Sequence, residues 1–421
     1  MGRQWDFVNA NINYMTHALH PYPARMIPQI AERLIHLYAK KNGLVLDPFC
    51  GTGGVLLEAT RANLNSVGFD VNPLACLISR VKTTPINPKK ILLIWSIIMD
   101  KIIHDVYRYR NGNLEPKAPD FGNVNLNYWF KDYVIGELSI IRKHIDTIKE
   151  KKIKDFFLLC FSHTIRTVSG TRNSEFKLYR MDKIDWENYF PDVLKKFAEK
   201  VTSSISMMSE YYYYFQNNKI NSHSWVFEAD TRNVLNGKFP KQASKILSEN
   251  SVSLVLTSPP YGDSPTTVAY GQYSRYPLLW LGYDSKVIHN IDKNGGRQKN
   301  NLDLRSKTLE KIVSKISDKK RKVHVLSYFN DLGVSLFNIS EILSRRGYAC
   351  IVLGNRTVNQ IKIPTDQILR EFSRDIGLQH VRTIKRSIIQ KRLPYKIRCT
   401  KIVKKNFIKT MNEESIVVLK K

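Results

Sequence analysis

The sequence predicts an α/β protein in which a Rossmann-like, doubly wound sheet carries a largely helical insertion. Two observations lead to this prediction. Short apolar runs with β character alternate with helical patterns, which is the order of a parallel sheet with right-handed crossovers. A glycine-rich turn also joins the first apolar run, 43–46, to a helical pattern that begins at Val55. A strand, a glycine turn and a helix form the ligand-binding corner of such sheets.

The composition indicates a polyanionic partner and a reducing compartment. The chain has 421 residues, a formal net charge of +29 and a pI of about 9.8, and lysine and arginine bind phosphates by releasing counterions. The five cysteines are odd in number and show no C-x-x-C spacing, which excludes a disulfide framework or a zinc site of the usual kind. They are Cys50, Cys76, Cys160, Cys350 and Cys399.

The sequence shows no signal for secretion or membrane insertion. The first residues lack an apolar signal core, and the apolar run 91–98 is too short to span a bilayer. We therefore expect a cytoplasmic protein.

The turn after the first strand is the candidate cofactor site. Its sequence, Asp-Pro-Phe-Cys-Gly-Thr-Gly-Gly over 47–54, places glycines where a backbone can approach a ligand closely. The next strand, 66–69, ends at Asp70, whose carboxylate can accept both ribose hydroxyls of an adenosine group. The absence of G-x-G-x-x-G from this turn favours S-adenosylmethionine over NAD. The candidate ligands are Asp47, Phe49, Cys50, Gly51, Thr52, Gly53, Asp70 and Asn72.

A second motif, 257–261, follows the strand-like run 251–256 and resembles a pocket that holds an exocyclic amino group of a base, which makes it the candidate catalytic site. An exocyclic amine of cytosine or adenine is a poor nucleophile, because its lone pair is delocalised into the ring. The Ser258 hydroxyl and the Pro259 carbonyl can accept its two protons, and Pro259 and Pro260 fix that carbonyl rigidly. Tyr261 offers a ring on which a flipped base can stack.

The residues exclude one related chemistry. Methylation at C5 of cytosine needs a thiolate that attacks the ring, and the sequence has no Pro-Cys nucleophile segment. Cys50 lies within the cofactor turn, so we interpret it as a packing residue.

These motifs, together with His20–Pro28, resemble the amino-methyltransferases of bacterial restriction-modification systems. The resemblance covers about 14–84 and 223–395. It implies that Pro21, Tyr22 and Pro23 line the cofactor site, and that Asp230 lies near the cofactor's adenine amino group.

The resemblance also suggests the target base and the partners. A serine before the two prolines is commonest in N4-cytosine enzymes and an aspartate in N6-adenine enzymes, so Ser258 favours cytosine. The expected substrate is double-stranded DNA, and the expected partner is a cognate restriction endonuclease that acts on the same site. When bound to DNA, the protein would lie at the nucleoid.

The resemblance and the charge pattern divide the chain into three parts. These are a first core part over 1–84, a helical basic insertion over 85–222, and a second core part over 223–421 with a possible DNA-reading insertion over 283–325. Basic residues interleaved with aromatic and polar ones suit phosphate and base contacts. The candidate DNA contacts are Arg166, Arg172, Lys177 and Arg180, with Arg275 beside the base pocket and Lys391 and Arg392 in a late loop that resembles one near the target base.

Three alternatives to N4-cytosine methylation of DNA stay open at this point. An N6-adenine DNA methyltransferase would use the same core. An RNA amino-methyltransferase would usually carry a separate N-terminal RNA-binding domain, which the early cofactor segment disfavours. A DNA-binding protein on a degenerate core is disfavoured by the intact amine motif.

Overall fold

The computed structural model describes ten stretches of the chain. These are residues 2–122, 124–172, 176–233, 240–262, 269–293, 304–358, 360–388, 396–398, 407–409 and 412–421.

Seven strands form one central sheet, and two short antiparallel ribbons lie outside it. The strands are β1 (Leu44–Asp47), β2 (Ser66–Asp70), β3 (Ser224–Glu228), β4 (Val252–Thr257), β5 (Leu343–Gly354), β6 (Arg356–Val358), β7 (Ile361–Ile363), β8 (Gln379–Ser387), β9 (Lys396–Arg398), β10 (Phe407–Lys409) and β11 (Glu413–Lys420). The order in the central sheet is β3-β2-β1-β4-β5-β11-β8, and the ribbons are β6-β7 and β9-β10.

The helices fall mainly into two groups, before β3 and after β4. They are α1 (Pro28–Tyr38), α2 (Gly54–Arg61), α3 (Pro73–Thr83), α4 (Pro88–Arg110), α5 (Asp132–Asp146), α6 (Lys151–Val168), α7 (Lys183–Glu187), α8 (Val193–Asn217), α9 (Tyr270–Trp280), α10 (Ser285–Lys293), α11 (Lys307–Lys315), α12 (Lys319–Ile342) and α13 (Thr365–Asp375). Short 3-10 turns cover Gly2–Trp5, Met15–Ala18, Thr231–Asn233 and Ala243–Lys245.

The strand order confirms the predicted Rossmann-like fold class, with one addition. Strands β3, β2, β1, β4 and β5 are parallel, as the alternation of strands and helices indicates. Strand β11 runs antiparallel to both of its neighbours, β5 and β8, so the sheet is mixed. This last strand was not predicted, because its pairing joins segments far apart in the chain.

Strands β1, β2, β4 and β11 in the middle of the sheet are buried on both faces, which explains why they are continuous apolar runs. Val45 and Val418 face a core that includes Ile30 and Leu34 of α1. Residues next to them in the strands point the other way and pack against Phe329 of α12, Leu369 of α13 and other residues of those helices. The period of two along each strand therefore distributes its side chains between two helical layers.

The helices between β2 and β3 form a third core beside the sheet. Leu74 and Ile78 of α3 join apolar residues of α4, α5, α6, α8 and α9 around the fully buried Trp280. Within 88–217 the described residues contain helices and a single isolated bridge, between Thr171 and Arg180. Among the described helices, each is too short or too polar to cross a lipid bilayer.

The basic run 319–322 lies in the first turn of α12. Asp318 caps this helix by accepting hydrogen bonds from the backbone N–H groups of Lys320 and Arg321, at 2.9 Å and 3.1 Å. Part of the possible DNA-reading insertion, residues 294–303, lies outside the described residues.

Candidate active site

The two motifs identified in the sequence meet at one edge of the sheet. Strands β1 and β4 are parallel neighbours at the point where the strand order changes direction, and ligands of such sheets bind beyond the carboxyl ends of the strands there. Asp47 ends β1 and Thr257 ends β4. The Thr257 hydroxyl donates a hydrogen bond of 2.6 Å to Asp47 Oδ1, so the candidate cofactor turn and the candidate amine pocket begin at directly bonded residues.

Left-handed backbone at two glycines shapes the cofactor turn. Gly51 has φ 49° and Gly53 has φ 72°, a region that favours glycine. A Cβ atom at Gly53 would lie 2.2 Å from the Ser79 hydroxyl oxygen of α3, so this glycine lets the turn pack on that helix. A Cβ at Gly51 would meet nothing within 4 Å, which shows that this side of the turn opens onto free space.

The remaining members of the turn are tied to the sheet. Phe49 is half-buried, and its N–H donates to Asp47 Oδ1 at 3.2 Å. Cys50 is buried, and its N–H donates to the Phe69 carbonyl of β2 at 2.8 Å. Burial raises the pKa of the Cys50 thiol well above its ordinary value, which fits the packing role inferred from the sequence.

Asp70 connects the second strand to the cofactor turn. Its carboxylate accepts hydrogen bonds from the backbone N–H groups of Gly51, at 3.0 Å, and Asn72, at 2.8 Å. Burial raises the pKa of Asp70 to about 6, although these hydrogen bonds act in the opposite direction. Burial also raises the pKa of Asp47 to about 7, partly offset by the bond from Thr257.

Lys82 is a buried lysine behind the same turn. Its Nζ donates to the Thr52 hydroxyl at 3.2 Å, and burial lowers the pKa of Lys82 well below its ordinary value. The burial of Lys82 was not predicted, because a lysine near the end of a helical pattern normally indicates a solvated position.

Hydrogen bonds hold the segment that contains Pro21, Tyr22 and Pro23 close to Asp70. Tyr22 is buried, and its hydroxyl accepts a hydrogen bond of 2.9 Å from the Asn72 amide, which also donates to Ser274 at 2.8 Å. Pro23 is buried and Pro21 exposed, and the Pro21 carbonyl accepts a hydrogen bond from the Tyr273 hydroxyl. Asn72 thus links this segment to α9, besides capping α3.

Asp230 lies after β3, at the same sheet edge. Its carboxylate forms a two-point ion pair with Arg232, in which Nε lies 2.9 Å from Oδ1 and Nη2 lies 2.5 Å from Oδ2. Arg232 also pairs with Asp331 of α12 at 3.0 Å. The neighbouring Thr231 donates to the Pro48 carbonyl, which brings Asp230 beside the cofactor turn.

The amine motif is held by hydrogen bonds on both sides. The Ser258 hydroxyl donates to the Tyr261 hydroxyl at 3.0 Å, and Tyr261 donates to Glu414 Oε1 of β11 at 3.1 Å. Pro259 is buried, and the exposed Pro260 accepts a hydrogen bond of 2.9 Å from the Tyr328 hydroxyl through its carbonyl. Glu414 was not expected from the sequence, because an acidic residue at the start of an apolar strand carries no local signal of function.

The candidate DNA contacts occupy different environments. Arg172, Lys177 and Arg275 are exposed, and a hydrogen bond of 3.3 Å from Leu178 N–H to the Gln272 side chain joins the segment that carries Lys177 to the helix that carries Arg275. Arg180 is half-buried, with its guanidinium 4.0 Å from the ring centroid of Tyr128. Lys391 and Arg392 lie outside the described residues.

Arg166 differs from the other candidates because it is buried in α6. Its guanidinium lies 4.3 Å from the ring centroid of Tyr273, and burial lowers its pKa. This environment corrects the sequence interpretation, since a buried guanidinium favours a packing role over a phosphate contact.

Beside Arg275, a groove of about 490 Å³ runs between α9, α10 and the segment before α5. It is lined by Val124, Asn125, Tyr128, Trp129, Arg275, Tyr276, Leu279, Ser285, Lys286, Ile288 and His289. Basic and aromatic side chains therefore share this surface.

Comparison with known proteins relates most of the chain to methyltransferases. A family model described as DNA methylase matches residues 1–80. The chain is 34% identical to the type II methyltransferase M.MvaI of Kocuria varians, over 98% of this chain and 93% of that protein. It is 20% identical to the type II methyltransferase M.MjaII of Methanocaldococcus jannaschii, over 89% of this chain and 77% of that protein.

A solved structure with a related description is the rRNA methyltransferase aviRa of Streptomyces viridochromogenes. It is 9% identical over 96% of this chain and 88% of that chain, with a TM-score of 0.31. So low a score adds nothing to the fold that the strand order shows.

We expect Gly53→Ala to lower the free energy of unfolding by about 2 to 4 kcal/mol, since alanine is strained at this positive φ and its methyl group would clash with Ser79. Gly54→Ala is the matched control, because a Cβ there meets nothing within 4 Å and alanine favours the first turn of α2. Urea unfolding of both variants measures the difference. Equal losses in the two variants would contradict this account of the turn.

Proposed function

The chain belongs to the amino-directed (N6/N4) family of type II DNA methyltransferases, and we propose that it methylates N4 of cytosine in double-stranded DNA. One observation supports the reaction most directly: the hydrogen bond from Thr257 to Asp47 joins the cofactor turn to the amine motif at one sheet edge. Positioning of this kind provides most of the catalysis when one group passes between two bound reactants.

The cofactor of this family is S-adenosylmethionine, and the residues of the cofactor turn fit it. The open side of Gly51 leaves room for a ligand against the backbone, and the half-buried Asp70 carboxylate is an acceptor for ribose hydroxyls. We propose that Tyr22 and its neighbouring prolines line the same site, with Asp230 near the adenine. When bound, the cofactor supplies an electrophilic methyl group on sulfur.

We assign the handling of the amine to the second motif. Ser258 Oγ and the Pro259 carbonyl would accept the two N–H groups of the exocyclic amine, which makes its nitrogen more pyramidal and more nucleophilic. The double proline keeps the carbonyl in place, and the bond from Tyr328 to the Pro260 carbonyl stiffens the turn further. A base flipped out of the duplex would stack on the Tyr261 ring.

Cytosine is favoured over adenine by the serine at 258, where N6-adenine enzymes more often carry aspartate. An N6-adenine enzyme is the alternative that shares the whole core. We also propose that the exposed Arg172, Lys177 and Arg275 bind DNA phosphates. Host DNA as the substrate would place the protein at the nucleoid, where it would protect sites from a cognate endonuclease.

The proposed base is tested by mass spectrometry of nucleosides from DNA methylated by the purified protein. We expect N4-methyldeoxycytidine, and we expect Ser258→Ala to reduce its formation by about 100-fold, because an acceptor that acts on the reacting nitrogen is lost. Affinity for S-adenosylhomocysteine should be unchanged in this variant. N6-methyldeoxyadenosine would replace the cytosine assignment by adenine, and full activity of Ser258→Ala would reject the role of the serine.

The pH dependence of cofactor binding tests Asp70. The ionised carboxylate accepts the hydroxyls, so affinity for S-adenosylhomocysteine should fall as the pH drops through about 6, the pKa of Asp70. In Asp70→Asn the affinity at pH 8 should be at least about tenfold weaker, and the fall near pH 6 should disappear. Calorimetry at several pH values measures both effects. A fall near pH 6 that persists in Asp70→Asn would assign it to another group.

The DNA contacts are tested by the salt dependence of binding. Arg172→Ala and Lys177→Ala should each weaken DNA binding, and each should reduce the slope of log K against log salt by about 0.9. Lys41→Ala is the control, because this exposed lysine precedes β1 at the opposite edge of the sheet. Fluorescence anisotropy over a salt series gives the slopes. An equal effect of all three substitutions would indicate a general charge effect instead of a binding face.

A further inference from the structure

A directed chain of hydrogen bonds leads from the amine motif to a carboxylate near the end of the sequence. Ser258 Oγ donates to Tyr261 Oη at 3.0 Å, and Tyr261 Oη donates to Glu414 Oε1 at 3.1 Å. The first residue is the proposed acceptor for the amine, and the last has no part in either sequence motif. These two hydrogen bonds therefore connect the proposed amine site to the Glu414 carboxylate, which has no function assigned so far.

Glu414 is held in a fixed orientation from the opposite side. Its strand, β11, places it opposite Arg386 of β8, and Arg386 Nη1 forms an ion pair with Glu414 Oε2. Arg386 is itself buried, and its Nε donates to the Trp5 carbonyl at 3.0 Å. One carboxylate oxygen thus faces arginine and the other faces tyrosine.

This arrangement sets the direction of every hydrogen bond in the chain. An ionised carboxylate only accepts, so Tyr261 must donate to it and its oxygen remains to accept from Ser258. Ser258 then has its single hydrogen engaged, and its lone pairs point away from Tyr261. A serine in this state is an acceptor for an N–H group of a bound amine and cannot donate to it.

We propose that Glu414 is a positioning residue for methyl transfer, which keeps Ser258 an acceptor and takes up the proton that the amine releases. This inference rests on the proposed function.

The proposed reaction transfers one methyl group to the amine and one proton away from it. The amine lone pair forms the new nitrogen–carbon bond, and the carbon–sulfur bond breaks with its electron pair on sulfur. The nitrogen then releases one proton to Ser258 Oγ, Ser258 passes its own proton to Tyr261 Oη, and Tyr261 passes its proton to Glu414 Oε1. Burial and the nearby Glu414 raise the pKa of Tyr261 well above its ordinary value, so the phenol stays neutral before and after the transfer.

Glu414→Gln tests the direction of the chain with little change in shape. Arg386 would bind the amide oxygen, so the amide nitrogen would face Tyr261 and donate to it. Tyr261 would then donate to Ser258, whose hydrogen would point at the amine. We expect single-turnover methylation to slow by about 100-fold, with the affinities for S-adenosylhomocysteine and DNA unchanged.

Two further variants make the test specific. Tyr261→Phe keeps the ring but removes both hydrogen bonds between Ser258 and Glu414. Adding Glu414→Gln to this variant should therefore cause no further loss of single-turnover rate. If the two substitutions acted through independent structural effects, their losses would add. Glu413→Gln is the matched control, because Glu413 is the exposed neighbour on the same strand and the charge change is identical. It should leave the rate unchanged.

The outcomes separate this inference from the proposed function. A normal single-turnover rate in Glu414→Gln, or additive losses in the double variant, would overturn the role of Glu414 while methylation itself stands. If the unaltered protein transfers no methyl group to DNA, the proposed function fails first. Loss of S-adenosylhomocysteine binding in Glu414→Gln would show a disrupted fold, and the single variant Tyr261→Phe then decides. It breaks both hydrogen bonds without altering Glu414, so a normal single-turnover rate in Tyr261→Phe would overturn the role of Glu414.

Discussion

The hydrogen bond between Thr257 and Asp47 is the interaction on which the arrangement of the active edge depends. Adjacent parallel strands lie about 4.8 Å apart, so turns that leave β1 and β4 at the same end begin as neighbours. The bond from Thr257 fixes their relative height, and the helical layers on both faces prevent either strand from shifting. A donor and an acceptor can therefore be presented to each other by rigid elements, which suits a reaction that needs alignment more than acid or base strength.

Burial of carboxylates is the electrostatic cost of this arrangement. Asp47 and Asp70 end neighbouring strands, and burial raises the pKa of each toward neutrality. The backbone N–H groups of Gly51 and Asn72 partly compensate for Asp70, and the Thr257 hydroxyl does so for Asp47. A ligand that brings its own hydroxyl donors would complete this compensation, so the turn is electrostatically prepared for such a ligand.

The parts of the fold that could be predicted are those written in local sequence. The strand before the glycine turn, the acid after β2 and the double-proline motif each follow from a few adjacent residues, and the structure brings them to one edge. Strand β11 could not be placed, because its insertion between β5 and β8 depends on contacts between distant segments. Arg166 differs from expectation for a related reason. Its charge suggested an exposed position, whereas its place in α6 buries it among the helices. Glu414 and Lys82 are identified only by their three-dimensional contacts with Tyr261 and Thr52, which lie far from them in the sequence.

The contact between Arg386 and Trp5 has a consequence for the outer margin of the sheet. Strand β8 is the last in the order, so its outward backbone groups are open to pairing with another chain. At this edge the Trp5 carbonyl accepts a hydrogen bond from Arg386 Nε, and the Asp6 carboxylate accepts one from Ser387 N–H at 2.7 Å. Trp5 and Asp6 thus cover part of the free edge of β8, where a second chain could otherwise pair, and the bond from Arg386 to Trp5 also helps to hold the arginine that pairs with Glu414.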